Sequence, residues 1–117
     1  MHVTASYGKV VMPGALTPTE IVTAWRAGAD LIKIFPANVM GPGYLKDLHA
    51  PLPQIRFSPT GGIDLSNAAD YIKAGAAALG VGSSLIDKKL VAAGDWDALT
   101  DRARKFTEVI KKARGTK

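Results

Sequence analysis

Cysteine is absent from the 117-residue chain. That excludes a disulfide framework and any cysteine-ligated metal, and it fits a reducing compartment. Aromatic residues are only 7% of the chain, too few for a row of base-stacking platforms. No apolar run approaches the roughly 18 residues that mark a membrane span. The first residues, Met1-His2-Val3-Thr4-Ala5-Ser6, show no basic region followed by a long apolar stretch, so no secretory leader is expected. A cytoplasmic protein is the expectation. Glutamate occurs only at positions 20 and 108. No cluster of His, Asp and Glu has metal-ligand spacing, so no metal is expected. Low-complexity segments and domain linkers are lacking too, and residues 1–117 read as a single domain.

What the chain does have is 47% hydrophobic residues and a formal net charge of +5. The first is enough for one core. The second suits an anionic small molecule as well as nucleic acid. Much of the basic excess falls between Arg102 and Lys117, on a solvated helix face, so neither nucleic acid nor membrane is expected as a partner.

Short apolar runs alternate with helical patterns. Val10-Val11-Met12 reads as a buried strand ended by Pro13-Gly14. Thr17-Pro18-Thr19-Glu20 combines a capping threonine, proline at the first helical position and a glutamate three residues after the cap. Ile21, Ala24 and Trp25 keep helical spacing up to Gly28. A second strand is expected over 29–35. A Gly- and Pro-rich loop over 38–43 and a short helix over 44–49 follow. The third strand runs over 55–59 into Thr60-Gly61-Gly62. Asp64 can cap a helix that ends at Gly75. The fourth strand runs over 77–81 into Gly82-Ser83-Ser84. After a charged connection, Asp95 can cap a final helix carrying Leu99, Ala103, Phe106, Val109 and Ile110 at helical period. Four strand–helix units with nearly all-apolar strands give a parallel α/β arrangement.

Lys33 stands out inside the second strand. Alternation sets Leu31, Lys33 and Phe35 on one side and Ile32 and Ile34 on the other. A lysine there is costly unless it is paired or neutral. An amine kept neutral by apolar surroundings is the nucleophile that Schiff-base chemistry needs. Two plainer alternatives remain open: a lysine near a strand end that reaches solvent, or one paired with an acid such as Asp30. Gly61-Gly62 and Gly82-Ser83 each follow a strand. Glycine lets a backbone approach an anion closely, and two adjacent loops of this kind match the phosphate site of many (β/α)8 barrels. His49 reads as a surface histidine, Glu20 as a capping carboxylate, Trp25 and Phe106 as core, and Tyr44 as a packing residue.

Pro13-Gly14 with Thr17-Pro18-Thr19-Glu20, Leu31-Ile32-Lys33-Ile34-Phe35-Pro36-Ala37, Phe57-Ser58-Pro59-Thr60-Gly61-Gly62 and Gly80-Val81-Gly82-Ser83 resemble, in order and spacing, the successive motifs of 2-keto-3-deoxy-6-phosphogluconate aldolases. That family includes 4-hydroxy-2-oxoglutarate aldolases and the phosphogalactonate variant. The resemblance implies a class I aldolase acting on a phosphorylated 2-keto sugar acid and releasing pyruvate, with the iminium as electron sink and therefore no cofactor. It implies Lys33 as the Schiff-base amine and Phe35 against the substrate. Thr60, Gly61, Gly62, Gly82 and Ser83 would bind substrate and phosphate.

The same resemblance implies that the chain is a (βα)4 unit, strands five to eight of a (β/α)8 barrel that typically needs about 200 residues or more. The family's other half supplies a proton-shuttling glutamate and a carboxylate-clamping arginine, neither of which can be assigned here. Four strands curved for a barrel leave two open edges. Three outcomes meet that exposure: closure by a second copy, pairing with an N-terminal half-barrel, or flattening into an open sheet. A homo-oligomer or a paired half-barrel is the expectation. The alternatives to catalysis are a half-barrel that only folds and oligomerises, and a phosphate-binding α/β module.

Overall fold

A computed structural model of the chain describes residues 1–115; the last two residues of the basic tail, Thr116 and Lys117, lie outside the described residues. The elements run α1 (His2–Ser6), β1 (Gly14–Ala15), α2 (Pro18–Arg26), β2 (Ile32–Ile34), α3 (Ala37–His49), β3 (Phe57–Pro59), α4 (Ala68–Lys73), α5 (Lys88–Ala92) and α6 (Trp96–Ala113). The three strands form an open, fully parallel sheet in the order β1-β2-β3.

One face of that sheet is the core. Ile32 pairs with Phe57, and Ile34 with Pro59 and Ala15. These residues pack with Ile21 of α2, Leu45 and Leu48 of α3, Tyr71 and Ile72 of α4, and Phe106 of α6. Ile21, Ile32, Ile34 and Phe57 are wholly buried or nearly so, and each such side chain contributes about 1.5–3 kcal/mol. Trp25 is half-buried against this core, as its helical position requires.

Local signals place the helices well. Thr17 and Glu20 close a reciprocal capping box: the Glu20 amide donates to Thr17 Oγ1, and Glu20 Oε1 accepts from the Thr17 amide at 3.1 Å. Pro18 opens α2, and Gly28, at φ +105°, lets the chain turn off its end. Asp95 caps α6 by accepting from the Ala98 amide at 3.1 Å.

The strands are shorter than their apolar runs, and two expectations change. The first run does not become a strand. Val10 and Met12 are exposed, and the ladder begins at Gly14. The Val11 amide is drawn instead to the Asp30 carboxylate at 2.7 Å. The fourth run over 77–81 is not a regular strand but a single parallel bridge, Thr60 to Gly80. Its chain still lies along β3, with the Ala77 and Gly80 amides donating to the Phe57 and Pro59 carbonyls at 2.9 Å. Small residues with weak strand preference leave nothing to extend that pairing.

Other differences are local. Residues 38–43 are mostly helical rather than looped. The chain breaks only at Gly41, with φ +78° and ψ 176°, and restarts at Pro42, where proline suits a first helical position. The charged connection contains α5, capped by Asp87 through the Lys89 amide at 2.8 Å. Asp64 does not cap α4. Its Oδ1 accepts from the Ser66 and Asn67 amides and closes the turn before Asn67, the residue at the helix start.

Candidate active site

The sheet's second face carries the polar residues of the motifs. Lys33 pairs with Gly14 on one side and Ser58 on the other, so all three share the face opposite Ile32, Ile34 and Phe57. Thr60, two residues beyond Ser58, continues that face. Its Oγ1 donates to the Ser58 carbonyl at 3.3 Å. Gly80 lies so close that a Cβ there would sit 2.2 Å from Thr60 Oγ1.

Lys33 is half-buried between two buried isoleucines. Its Nζ lies 5.1 Å from the centre of the Phe35 ring, close enough for a cation–π contact. Asp30 is not its partner, because that carboxylate accepts from the Val11 amide. Lys33 and Phe35 line a cleft of about 450 Å³ together with Met12, Gly14, Ala15, Leu16 and Glu20. Tyr44 helps to fix its wall, donating from its hydroxyl to the Leu16 carbonyl at 2.7 Å. Glu20 is therefore both the capping carboxylate and the one acidic group lining this cleft. Hydrogen bonds from the Thr17 hydroxyl, and then from its amide, hold the Glu20 carboxyl below the usual range.

The second cleft, of about 260 Å³, is lined by Gly62, Ile63, Asp64, Gly82, Ser83 and Ser84. Gly61 joins the two clefts: a Cβ there would meet the Phe35 ring at 3.3 Å. Gly62 is required twice over, by φ +70° and by Asn38, whose side chain lies 2.4 Å from the position of a Cβ. Asp64 puts a carboxylate into the glycine cleft. Hydrogen bonds from Ser66 hold it below the usual range and so keep it ionised.

The structure thus sets Lys33 with Phe35, and Gly62 with Gly82 and Ser83. Gly61 and Thr60 stand between the two groups. Glu20, Asp64 and Asn38 border these places, although their sequence signals announced only caps or loops. Ser58 carries no sequence signal of its own, since a serine within an apolar strand belongs to no spacing pattern. His49 is half-buried rather than a surface residue. It stands edge-on to Phe57 at 6.2 Å, and its Nδ1 is buried without a hydrogen-bond partner among the described residues.

The KDPG and KHG aldolase family matches residues 2–102. The chain belongs to that family. It is 38% identical over 99 residues to the 2-dehydro-3-deoxy-phosphogluconate aldolase of Pseudomonas aeruginosa, covering 84% of this chain and 45% of that protein. It is 48% identical over 80 residues to the 2-dehydro-3-deoxy-6-phosphogalactonate aldolase of Escherichia coli K12, covering 68% of this chain and 39% of that one. Among solved structures, the native KDPGal structure superposes with a TM-score of 0.82 at 36% identity, over 95% of this chain and 52% of that chain. The chain therefore spans about half the length of the curated relatives it matches, and its open parallel sheet corresponds to part of the aldolase barrel. Among the described residues, no helix is long and apolar enough to cross a membrane.

Proposed function

We propose that this aldolase-family chain carries the Schiff-base amine of a carbon–carbon lyase acting on a phosphorylated 2-keto sugar acid, with Lys33 as that amine. The supporting observation is the placement of Lys33. It is held by buried neighbours in a parallel strand and opens beside Phe35 into a cleft large enough for a small keto acid.

The Lys33 amine would add to the ketone of 2-keto-3-deoxy-6-phosphogluconate, and loss of water would leave an iminium. As a base takes the proton of the 4-hydroxyl, the C3–C4 bond breaks and its electrons flow into the iminium. Glyceraldehyde 3-phosphate leaves and an enamine remains. Protonation and hydrolysis then return pyruvate and the free amine. The iminium is itself the electron sink, so the chemistry calls for no cofactor. Phe35 would pack against the keto acid. Thr60 and the backbone at Gly61, Gly62, Gly82 and Ser83 would hold the phosphorylated end.

The open sheet supports a further part of this reading. Among the described residues, strands β1 and β3 have no complete neighbour on their outer sides. Met12 and Phe35 leave apolar surface exposed beside Lys33. A second copy, or a complementary half-barrel, would cover it. Proton transfer by a group outside this chain is typically worth about a factor of 100 to 10,000, so the chain alone should cleave the sugar acid slowly. Pyruvate release from 2-keto-3-deoxy-6-phosphogluconate, followed for the chain and for Lys33→Met, tests the reading. Release above the buffer background that disappears in Lys33→Met is expected. Equal rates in the two chains would remove Lys33 from the reaction.

A further inference from the structure

Ser58 is 3% exposed and is the one buried polar residue among those described. Its backbone serves the sheet, and its carbonyl accepts from Thr60. Its hydroxyl has no hydrogen-bond partner among the described residues. Nor is it sealed off: among the described residues the one fully buried side-chain polar atom without a partner is His49 Nδ1, so the Ser58 hydroxyl keeps a small contact with solvent and is free to bond a bound molecule.

Its neighbours suggest the use. Ser58 pairs in register with Lys33, and side chains directly across a sheet are about 5 Å apart. Gly14 flanks Lys33 on the other side, and a Cβ there would meet nothing within 4 Å. One flank of the amine is therefore open, and the other presents a hydroxyl on a strand whose backbone is fixed by the ladder. A keto acid entering by the Gly14 side would place its carbonyl carbon at the Lys33 nitrogen, on the sheet face that the Ser58 side chain shares.

We propose that the Ser58 hydroxyl holds the carbinolamine formed on Lys33, donating a hydrogen bond to the oxygen that leaves. The amine adds to the carbonyl carbon, the C–O π electrons move to oxygen, and that oxygen gains the proton the nitrogen loses. The C–O bond then breaks. Oxygen departs as water with a second proton from solvent, and the nitrogen lone pair closes the C=N bond of the iminium. Ser58 transfers no proton in net terms. It orients the oxygen while the bond breaks. This inference rests on the reading of Lys33 as the Schiff-base amine.

The test compares wild type, Ser58→Ala and Ser58→Cys with two probes of Lys33, each read at the residue by peptide mass. One is the rate of pyruvate adduct formation trapped by borohydride. The other is acylation by acetic anhydride, which needs the same amine but forms no leaving hydroxyl of this kind. Loss of one well-placed hydrogen bond should slow adduct formation about tenfold, with acylation changed less than about twofold. Cysteine, a weak donor of similar shape, should fall nearly as far as alanine and reports on the hydroxyl even if alanine disturbs folding. An equal fall in both probes, or a full wild-type rate in Ser58→Cys, overturns the role of Ser58. An adduct absent from wild-type Lys33 overturns the Lys33 reading and this inference with it. An adduct present but indifferent to Ser58 overturns this inference alone.

Discussion

The two clefts beyond the strand ends are built from different materials. The Lys33 cleft is lined largely by side chains on β1, β2, the segments next to them and α2, with Ile32, Ile34 and Phe57 packed behind the sheet. The glycine cleft is made of loop backbone, with Gly82 and Ser83 exposed and Asp64 on its wall. The first is supported by packing, so its geometry should follow the stability of the core. The second depends on backbone conformation and local charge, and should respond to single glycines and carboxylates instead. A shared family origin does not make the two places physically alike.

The largest expected effect breaks the support of the first cleft. Ile34→Ala removes a side chain that is 2% exposed and should cost about 2–5 kcal/mol by denaturant unfolding. Borohydride trapping at Lys33 should fall with it, while sulfate binding by the folded fraction should persist. Loss of both together in fully folded protein would show that the clefts are one unit.

Gly62→Asp addresses the second cleft. The substitution forces a side chain onto a backbone at φ +70°, pushes into Asn38, and adds negative charge beside Asp64. Sulfate binding measured by calorimetry should be abolished, while the rate of Lys33 adduct formation with pyruvate, which carries no phosphate, should change much less. Unchanged sulfate affinity would remove the phosphate reading.

These contrasts mirror what the sequence made legible. The capping box at Thr17-Pro18-Thr19-Glu20 and the stops at Gly28 and Gly75 depend on a few adjacent residues, so their chemistry can be read directly. The Ile32-Lys33-Ile34 alternation likewise announces both the buried face and the amine. Strand extent depends on partners distant in the chain. Val10 to Met12 looks like a strand by composition, yet the Asp30 carboxylate takes the Val11 amide. Residues 77–81 look like a strand, but pairing with β3 yields one bridge. Pro42 suggested a loop because the break at Gly41 and the helical restart after it could not be separated by composition. The register of Ser58 with Lys33 is silent in the sequence, because no local pattern encodes it.

Thr17→Ala makes a smaller change, at the edge of the Lys33 cleft. It should cost about 1 kcal/mol of stability through the lost cap, measurable by urea unfolding. It also frees Glu20, whose lowered carboxyl contributes to stability only while ionised. In wild type that contribution is present above the ordinary glutamate range and is lost as pH falls through the lowered value. The gap between wild type and Thr17→Ala should therefore narrow on acidification below the ordinary range. A gap that widens there would contradict the box as the source of stability.

Asp64→Asn should produce the smallest effect, and one of opposite sign. Asparagine can still accept from the Ser66 and Asn67 amides, so the turn should persist. Removing the charge should raise sulfate affinity by about fivefold at low ionic strength, and less in high salt. Wild-type sulfate affinity should rise as pH falls through the lowered Asp64 value, and this rise should be missing in Asp64→Asn. A decrease in affinity would mean that Asp64 orders the loop more than it repels the anion.

The account stands on one amine. The chain should be incubated with pyruvate and borohydride near neutral pH, then digested, and the reduced adduct mapped across its ten lysines. Among the described residues only Lys33 lies within a strand between buried isoleucines and opens into a cleft with Phe35, so the adduct should fall on Lys33 alone. An adduct spread over exposed positions such as Lys111 and Lys112, with Lys33 no more reactive than they are, would contradict the claim.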